Sequence, residues 1–185
     1  LTPRDFLATS EVVMGHVLTG NATIDAMAQD GLSGLATVLF NRTSIEPGPP
    51  MGVDIETDEL SFYPMLYWPI TPDQPLPSLA AYDRLNAYLK TGGLILFDTR
   101  DAGRGRSTST SPEARYLQRL ARQLDIPPLE PVPADHVLMR SFYLLQDLPG
   151  RFVGPPVWVE AAPIDAQQID GVPFRNLNDG VTPVV

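Results

Sequence analysis

The pentapeptide LILFD, Leu94–Asp98, constrains this chain more than any other stretch. It is a continuous apolar run, without the alternation of a strand that keeps one face in water. A short run of this kind bounded by breakers is the pattern of a strand buried on both faces, as in parallel sheets whose crossover helices cover both sides. Flanking segments supply such helices. Upstream, Ser78 is a cap, Leu79, Tyr82, Leu85 and Leu89 share one face, and Gly92 and Gly93 stop the helix. Downstream, SPEARYLQRLARQLD has Ser111 as cap, Pro112 at the first position and Glu113 in the first turn, with Tyr116, Leu117, Leu120 and Leu124 facing inward.

The remaining segments repeat this alternation. EVVMGHVLTG (Glu11–Gly20) reads as a strand, and MGVDIETDEL (Met51–Leu60) as a second with its exit loop. SFYPMLYWPI (Ser61–Ile70) is a third, containing a proline. Between the first two, Ile24, Met27, Ala28, Gly31, Leu35, Val38 and Leu39 recur at helical spacing, with Asn21 or Thr23 as the cap. After a proline-rich stretch come three short apolar runs, VLMRSFYLL, VWVEAA and VTPVV. The 20 prolines cluster between elements, as a residue without an N–H should. The pattern predicts a single α/β domain over residues 1–185, with an open, mostly parallel sheet and helices on both faces. Ligands in such sheets bind at the carboxyl ends of the strands, here Thr19–Gly20, Glu56–Asp58, Trp68–Thr71 and Asp98–Asp101.

Composition removes several classes of function. With 13 basic and 22 acidic residues the net charge is −9, which repels phosphate backbones and makes nucleic acid no partner. There is no cysteine, hence no disulfide, thiolate metal site or cysteine nucleophile. Two histidines, His16 and His136, are few for a zinc centre, so neither metal nor cofactor is expected. TGGLI is neither GxGxxG nor a P-loop, and gives no basis for nucleotide binding. No apolar run approaches the roughly 20 residues that span a bilayer, so direct membrane contact is not expected. The chain lacks an initial Met and stops at DGVTPVV in what reads as a strand, which suggests an excised piece of a longer protein.

Each candidate site residue has a structural role beside its chemical one. Asp98 and Asp101 flank Thr99 and Arg100 at a strand's carboxyl end, where two carboxylates do acid–base work, bind a cation, or cap the turn. His136 is poised as a general base, or is hydrogen-bonded at a strand start. If VLMRSFYLL is a strand, Arg140 shares a face with His136, either converging with it on one anionic ligand or pairing with a carboxylate. Asp54, Glu56 and Asp58 would share a strand face, as a cation row or a solvated edge, with Glu59 beside them. Tyr63, Tyr67 and Trp68 offer a stacking platform for a sugar or partner, or fill the core.

Four strings, VDIETDELSFYPMLYWPITPDQPLPS, YLKTGGLILFDTRD, LDIPPLEPVPADHVLMRSFYLL and DGVTPVV, resemble a bacterial family known as domain of unknown function 4159. The likeness runs from about Glu11 to the last residue. That family resembles the class I glutamine amidotransferase-like superfamily, which implies a flavodoxin-like three-layer α/β/α sandwich. The resemblance also implies a larger, membrane-anchored parent with an N-terminal portion like the BatA aerotolerance proteins. The domain's partners would then be other domains of the parent or envelope-associated proteins, with the cytoplasmic side favoured. In the superfamily's amidotransferases a cysteine follows a buried strand, a later histidine activates it, and an acid orients the histidine. Here LILFD stands at the matching place, but the turn reads Asp98, Thr99, Arg100, while His136 falls near the histidine's position. The resemblance therefore implies a domain that is not a cysteine-dependent amidotransferase. The expectation is a non-catalytic module for ligand sensing or protein interaction. The alternative is a cysteine-independent hydrolase or lyase using Asp98, Asp101 and His136 on a small or sugar-like substrate.

Overall fold

Four short parallel strands carry the fold in a computed structural model of the chain. The structure describes residues 3–101, 111–140, 157–161, 168–169, 172–173 and 184–185, with isolated positions 144, 146 and 148. In chain order the elements are α1 (Pro3–Ser10), β1 (Gly15–Val17), α2 (Ala22–Arg42), β2 (Met51–Val53), β3 (Met65–Pro69), α3 (Leu79–Lys90), β4 (Leu94–Asp98), α4 (Pro112–Ala121), β5 (Leu129–Pro131), β6 (Trp158–Glu160), β7 (Gln168–Ile169) and β8 (Val172–Pro173). The sheet order is β2-β1-β3-β4, all parallel. Val184 bridges Ile95 in parallel, so the last residues lie along the outer edge of β4. There the Val185 N–H donates to the Ile95 carbonyl at 3.0 Å, and the Phe97 N–H donates to the Val185 carbonyl at 2.8 Å. With helices flanking the sheet, this is the open parallel α/β sheet predicted from LILFD and its neighbours, in the three-layer, flavodoxin-like arrangement that the family resemblance implies.

Strand pleating divides the core. Register places Gly15, Leu66 and Ile95 on one face, and His16, Gly52, Tyr67 and Leu96 on the other. The first face carries the main core, in which Val17, Leu66, Trp68 and Ile95 join Tyr82, Leu85 and Leu89 of α3 and Tyr116 and Leu120 of α4. Gly15 must be small there, because a Cβ would lie 2.7 Å from Leu66 Cδ2 and 2.9 Å from Val53 Cγ2. The second face is held to α2 by a polar chain. Gln29 Nε2 donates to the Pro50 carbonyl at 2.7 Å, which leaves Gln29 Oε1 to accept from His16 Nε2 at 3.0 Å. β4 is thus fully buried only at Ile95, with Leu94, Leu96, Phe97 and Asp98 partly covered.

Caps fall where the sequence puts them. Asn21, Ser78 and Ser111 accept from the first-turn N–H groups of α2, α3 and α4. Several other expectations need correction. In α2 only Ala28 and Leu32 are buried, whereas Met27, Leu35 and Val38 stay 51%, 39% and 50% exposed. A helix of 21 residues is about 31 Å long, and three-residue β1 spans about 10 Å, so much of α2 overhangs the sheet. The N-terminal helix α1 carried no signal recognised in the sequence.

VLMRSFYLL does not begin as a strand. Val137–Met139 form a 3₁₀ turn, and Ser141–Tyr143 and Leu145 lie outside the described residues. His136 and Arg140 are the two caps of that turn rather than neighbours on a pleated face. β2 ends at Val53, so Asp54, Glu56 and Asp58 occupy a turn, not one strand face. Their carboxylates work inside the fold. Asp58 accepts from Asp54 N–H, Asp54 accepts from Glu56 N–H, and Glu56 accepts from Ser78 N–H and Oγ at 2.9 and 2.6 Å, latching this loop to α3. The VWVEAA run supplies β6, which pairs antiparallel with β5 outside the main sheet.

Candidate functional site

β1 and β3 are neighbours, but the chain leaves them in opposite directions, to β2 on one side and β4 on the other. Their carboxyl ends therefore part and leave a crevice, the usual ligand position in an open α/β sheet. A pocket of about 390 Å³ occupies it. Thr19, Gly20 and Asn21 line it from the end of β1, and Ile70, Thr71, Pro72 and Asp73 from the end of β3. Ile24 of α2, Arg100 of the turn after β4, and Glu113 of α4 complete the wall.

Local chemistry fixes each wall. Asp25 Oδ1 accepts from the Thr19 N–H at 2.9 Å and from its hydroxyl at 2.7 Å, while Thr19 Oγ1 accepts from Asn21 N–H at 3.1 Å. Gly20 has φ 81°, a left-handed turn at no steric cost, which points the chain into α2. The β3 end is tied to β4 by the Ile70 N–H donating to the Asp98 carbonyl at 2.9 Å. Thr71 is 9% exposed, and its hydroxyl has no hydrogen-bond partner among the described residues.

Arg100 is the one non-glycine residue with positive φ, 58°, among the described residues. For a side chain with a Cβ that conformation costs about 1–2 kcal/mol. Asp98 sustains it, since Oδ1 accepts from the Arg100 N–H at 2.8 Å. The other carboxylate oxygen accepts from the Tyr67 hydroxyl at 2.6 Å. Burial first, and then this bond to Asp98, push the Tyr67 hydroxyl well above its ordinary pKa, so it stays a donor. Thr99 Oγ1 donates to Asp101 Oδ1 at 2.7 Å, and Asp101 is 4% exposed with Oδ2 unpartnered among the described residues. Tyr67, Asp98, Thr99 and Asp101 thus build the turn that presents Arg100.

The structure brings together only part of the expected constellation. Arg100 lines the pocket, whereas Asp98, Thr99, Asp101 and Tyr67 surround its turn. Trp68 lies in the core, 1% exposed, its Nε1–H donating to Gln74 Oε1 at 3.1 Å and its ring 5.5 Å from that of Phe97. His136 is buried, and its Nδ1 accepts from Leu138 N–H at 3.2 Å, which leaves Nε2 to carry the proton of the neutral ring. Neither His136 nor exposed Arg140 lines the pocket. Sequence reasoning placed Thr19, Gly20 and Thr71 at strand ends but gave no site role to Asn21, Asp73 or Glu113, because their contribution depends on how loops meet across the sheet. Among the described residues there is no group of three or more His, Asp or Glu side chains that could hold a metal ion. No helix among them is long and apolar enough to cross a membrane.

Strand order and pocket position define the class, an α/β domain of flavodoxin-like topology with a crevice at its switch point. The chain belongs to the family described as Domain of unknown function (DUF4159), whose model matches residues 13–185. No curated protein matches the sequence.

Proposed function

We propose that this is a non-catalytic, amidotransferase-like domain that holds a small polar ligand in the switch-point pocket. In this reading it serves as a sensing or interaction module of a larger membrane-associated protein. One observation carries the proposal. The turn after β4, its backbone held by Asp98 at the Arg100 N–H, presents Arg100 to a pocket whose other polar groups form no nucleophile–base pair among the described residues. Thr19 gives its hydroxyl to Asp25, and the Asn21 side-chain oxygen is spent on capping. What remains is a guanidinium, the Thr71 hydroxyl and the Asp73 carboxylate, a set suited to recognising a polar molecule. A thermal-shift screen of small polar metabolites tests this. At least one should raise the melting temperature of the wild type and not of Arg100→Ala, without being chemically changed. Glutaminase turnover by the purified domain would overturn it.

The cysteine-independent hydrolase or lyase is a second reading, supported by the buried, unpartnered Asp101 Oδ2. It requires that Asp101→Asn abolish a measurable turnover while leaving the melting temperature unchanged.

A further inference from the structure

The outer face of α4 carries a feature the switch-point pocket does not use. Tyr116, Leu120 and Leu124 point into the core, which leaves Arg115, Arg119 and Arg122 on the opposite side, all exposed. At 100° per residue the three fall within about 60° of arc. Together with Gln118, Pro72 and Pro112 they line a groove of about 570 Å³. Among the described residues none of the three has an ion-pair partner, although the chain carries 22 acidic residues.

Helix stability does not account for this stripe. Arginine in the last turn complements the helix dipole, but Arg115 lies near the start, where the dipole opposes it. Like charges at spacings of four and three also destabilise a helix. Arg119 is held over the Tyr116 ring, 5.7 Å from its centroid, which limits the freedom of its stem. Three positive charges concentrated on one groove of a protein with net charge −9 point to an anionic partner.

We propose that this groove docks a short acidic peptide segment of a protein partner. Arginine's planar fork matches carboxylates in a bidentate way that lysine does not. From Arg115 to Arg122 the axial rise is about 10 Å, and an extended peptide sets same-side residues about 7 Å apart, so two acidic side chains on one edge of such a peptide reach the stripe. Pro72 and Pro112 give the peptide's apolar atoms a rigid wall. Nucleic acid fits less well, because no aromatic residue lines the groove for base stacking and an extended polyanion meets the acidic remainder of the surface.

The experiment is a fluorescence-anisotropy titration of the domain into a labelled peptide of alternating Glu and Leu. A peptide of alternating Lys and Leu, a single-stranded oligonucleotide and phosphatidylserine vesicles serve as comparisons. Saturable binding to the Glu peptide is expected, weakening with salt, and losing at least about tenfold in affinity in an Arg115→Glu, Arg119→Glu, Arg122→Glu variant that melts like wild type. Replacing the same three by Lys keeps the charge and should weaken binding by about threefold or more through loss of the fork geometry. Absence of saturable binding, binding indifferent to charge reversal, or tighter binding to the oligonucleotide or the vesicles would overturn the proposal.

Discussion

Replacing Arg100 by Gly should stabilise the domain while destroying its ligand response. Arg100 is exposed, with φ 58°, and its N–H is held by Asp98 Oδ1 at 2.8 Å. A left-handed backbone costs a residue with a Cβ about 1–2 kcal/mol. Glycine adopts it freely but loses about 0.5–1 kcal/mol more than alanine in chain entropy on folding. The balance favours Arg100→Gly by about 0.5–1 kcal/mol. Arg100→Ala is the control, since it removes the same guanidinium but keeps a Cβ in the strained turn. Its stability should fall within about 0.5 kcal/mol of wild type, as for other surface substitutions. Urea unfolding of the three proteins, analysed with a common slope, measures the differences. Both variants should lose the ligand-induced thermal shift, which separates backbone strain from side-chain function. If Arg100→Ala proves as stable as Arg100→Gly or more so, the turn is not strained and the reasoning fails.

Three other perturbations follow from the same geometry. Burial pushes the half-buried Glu160 carboxyl up from its ordinary 4.5 to about 7, so the folded state holds a proton that the unfolded chain releases. Stability contributed by this group is present below about pH 4.5, declines as pH rises, and is lost by about pH 7. Full linkage sets a ceiling of about 3 kcal/mol, and partial solvent access reduces it to about 1–2 kcal/mol. Glu160→Gln should therefore flatten the fall in stability between pH 5 and pH 8, and an unchanged slope would contradict the assignment. Gln29→Leu leaves both the buried His16 Nε2 and the Pro50 carbonyl unpaired, and should cost about 2–4 kcal/mol in urea unfolding, whereas a loss below about 0.5 kcal/mol would show the bridge to be dispensable. Gly15→Val drives side-chain atoms into Leu66 and Val53, and should cost about 1–3 kcal/mol by the same assay, with a neutral result ruling out tight packing there.

The fold was legible because local signals and long-range demands agree. LILFD flanked by two capped helices implies parallel strands, and Ser78 and Ser111 mark the helix starts that the structure places there. α2 was less legible, since its apolar residues suggest a long buried face but the strands beneath it are too short to cover that face. Val137–Met139 misled because an apolar run reads as a strand, while the proline-rich stretch before it left the chain in a turn capped by His136. At the site, residue type and strand end singled out Asp98 to Asp101 as candidates, and β4 does end at Asp98. They did not show that both oxygens of Asp98 would be taken up by the turn itself, through Tyr67 and Arg100, and one oxygen of Asp101 by Thr99. Hydrogen bonds across tens of residues, such as Tyr67 to Asp98, leave no periodicity in the sequence to read.

An amide NMR titration tests the central claim most directly, using the isotope-labelled domain and a metabolite that shifts the melting temperature. The account predicts that the largest perturbations fall on Gly20, Thr71 and Arg100, that they vanish in Arg100→Ala, and that the metabolite's own resonances persist unchanged. Perturbations centred elsewhere on the fold, or conversion of the metabolite during the titration, would contradict it.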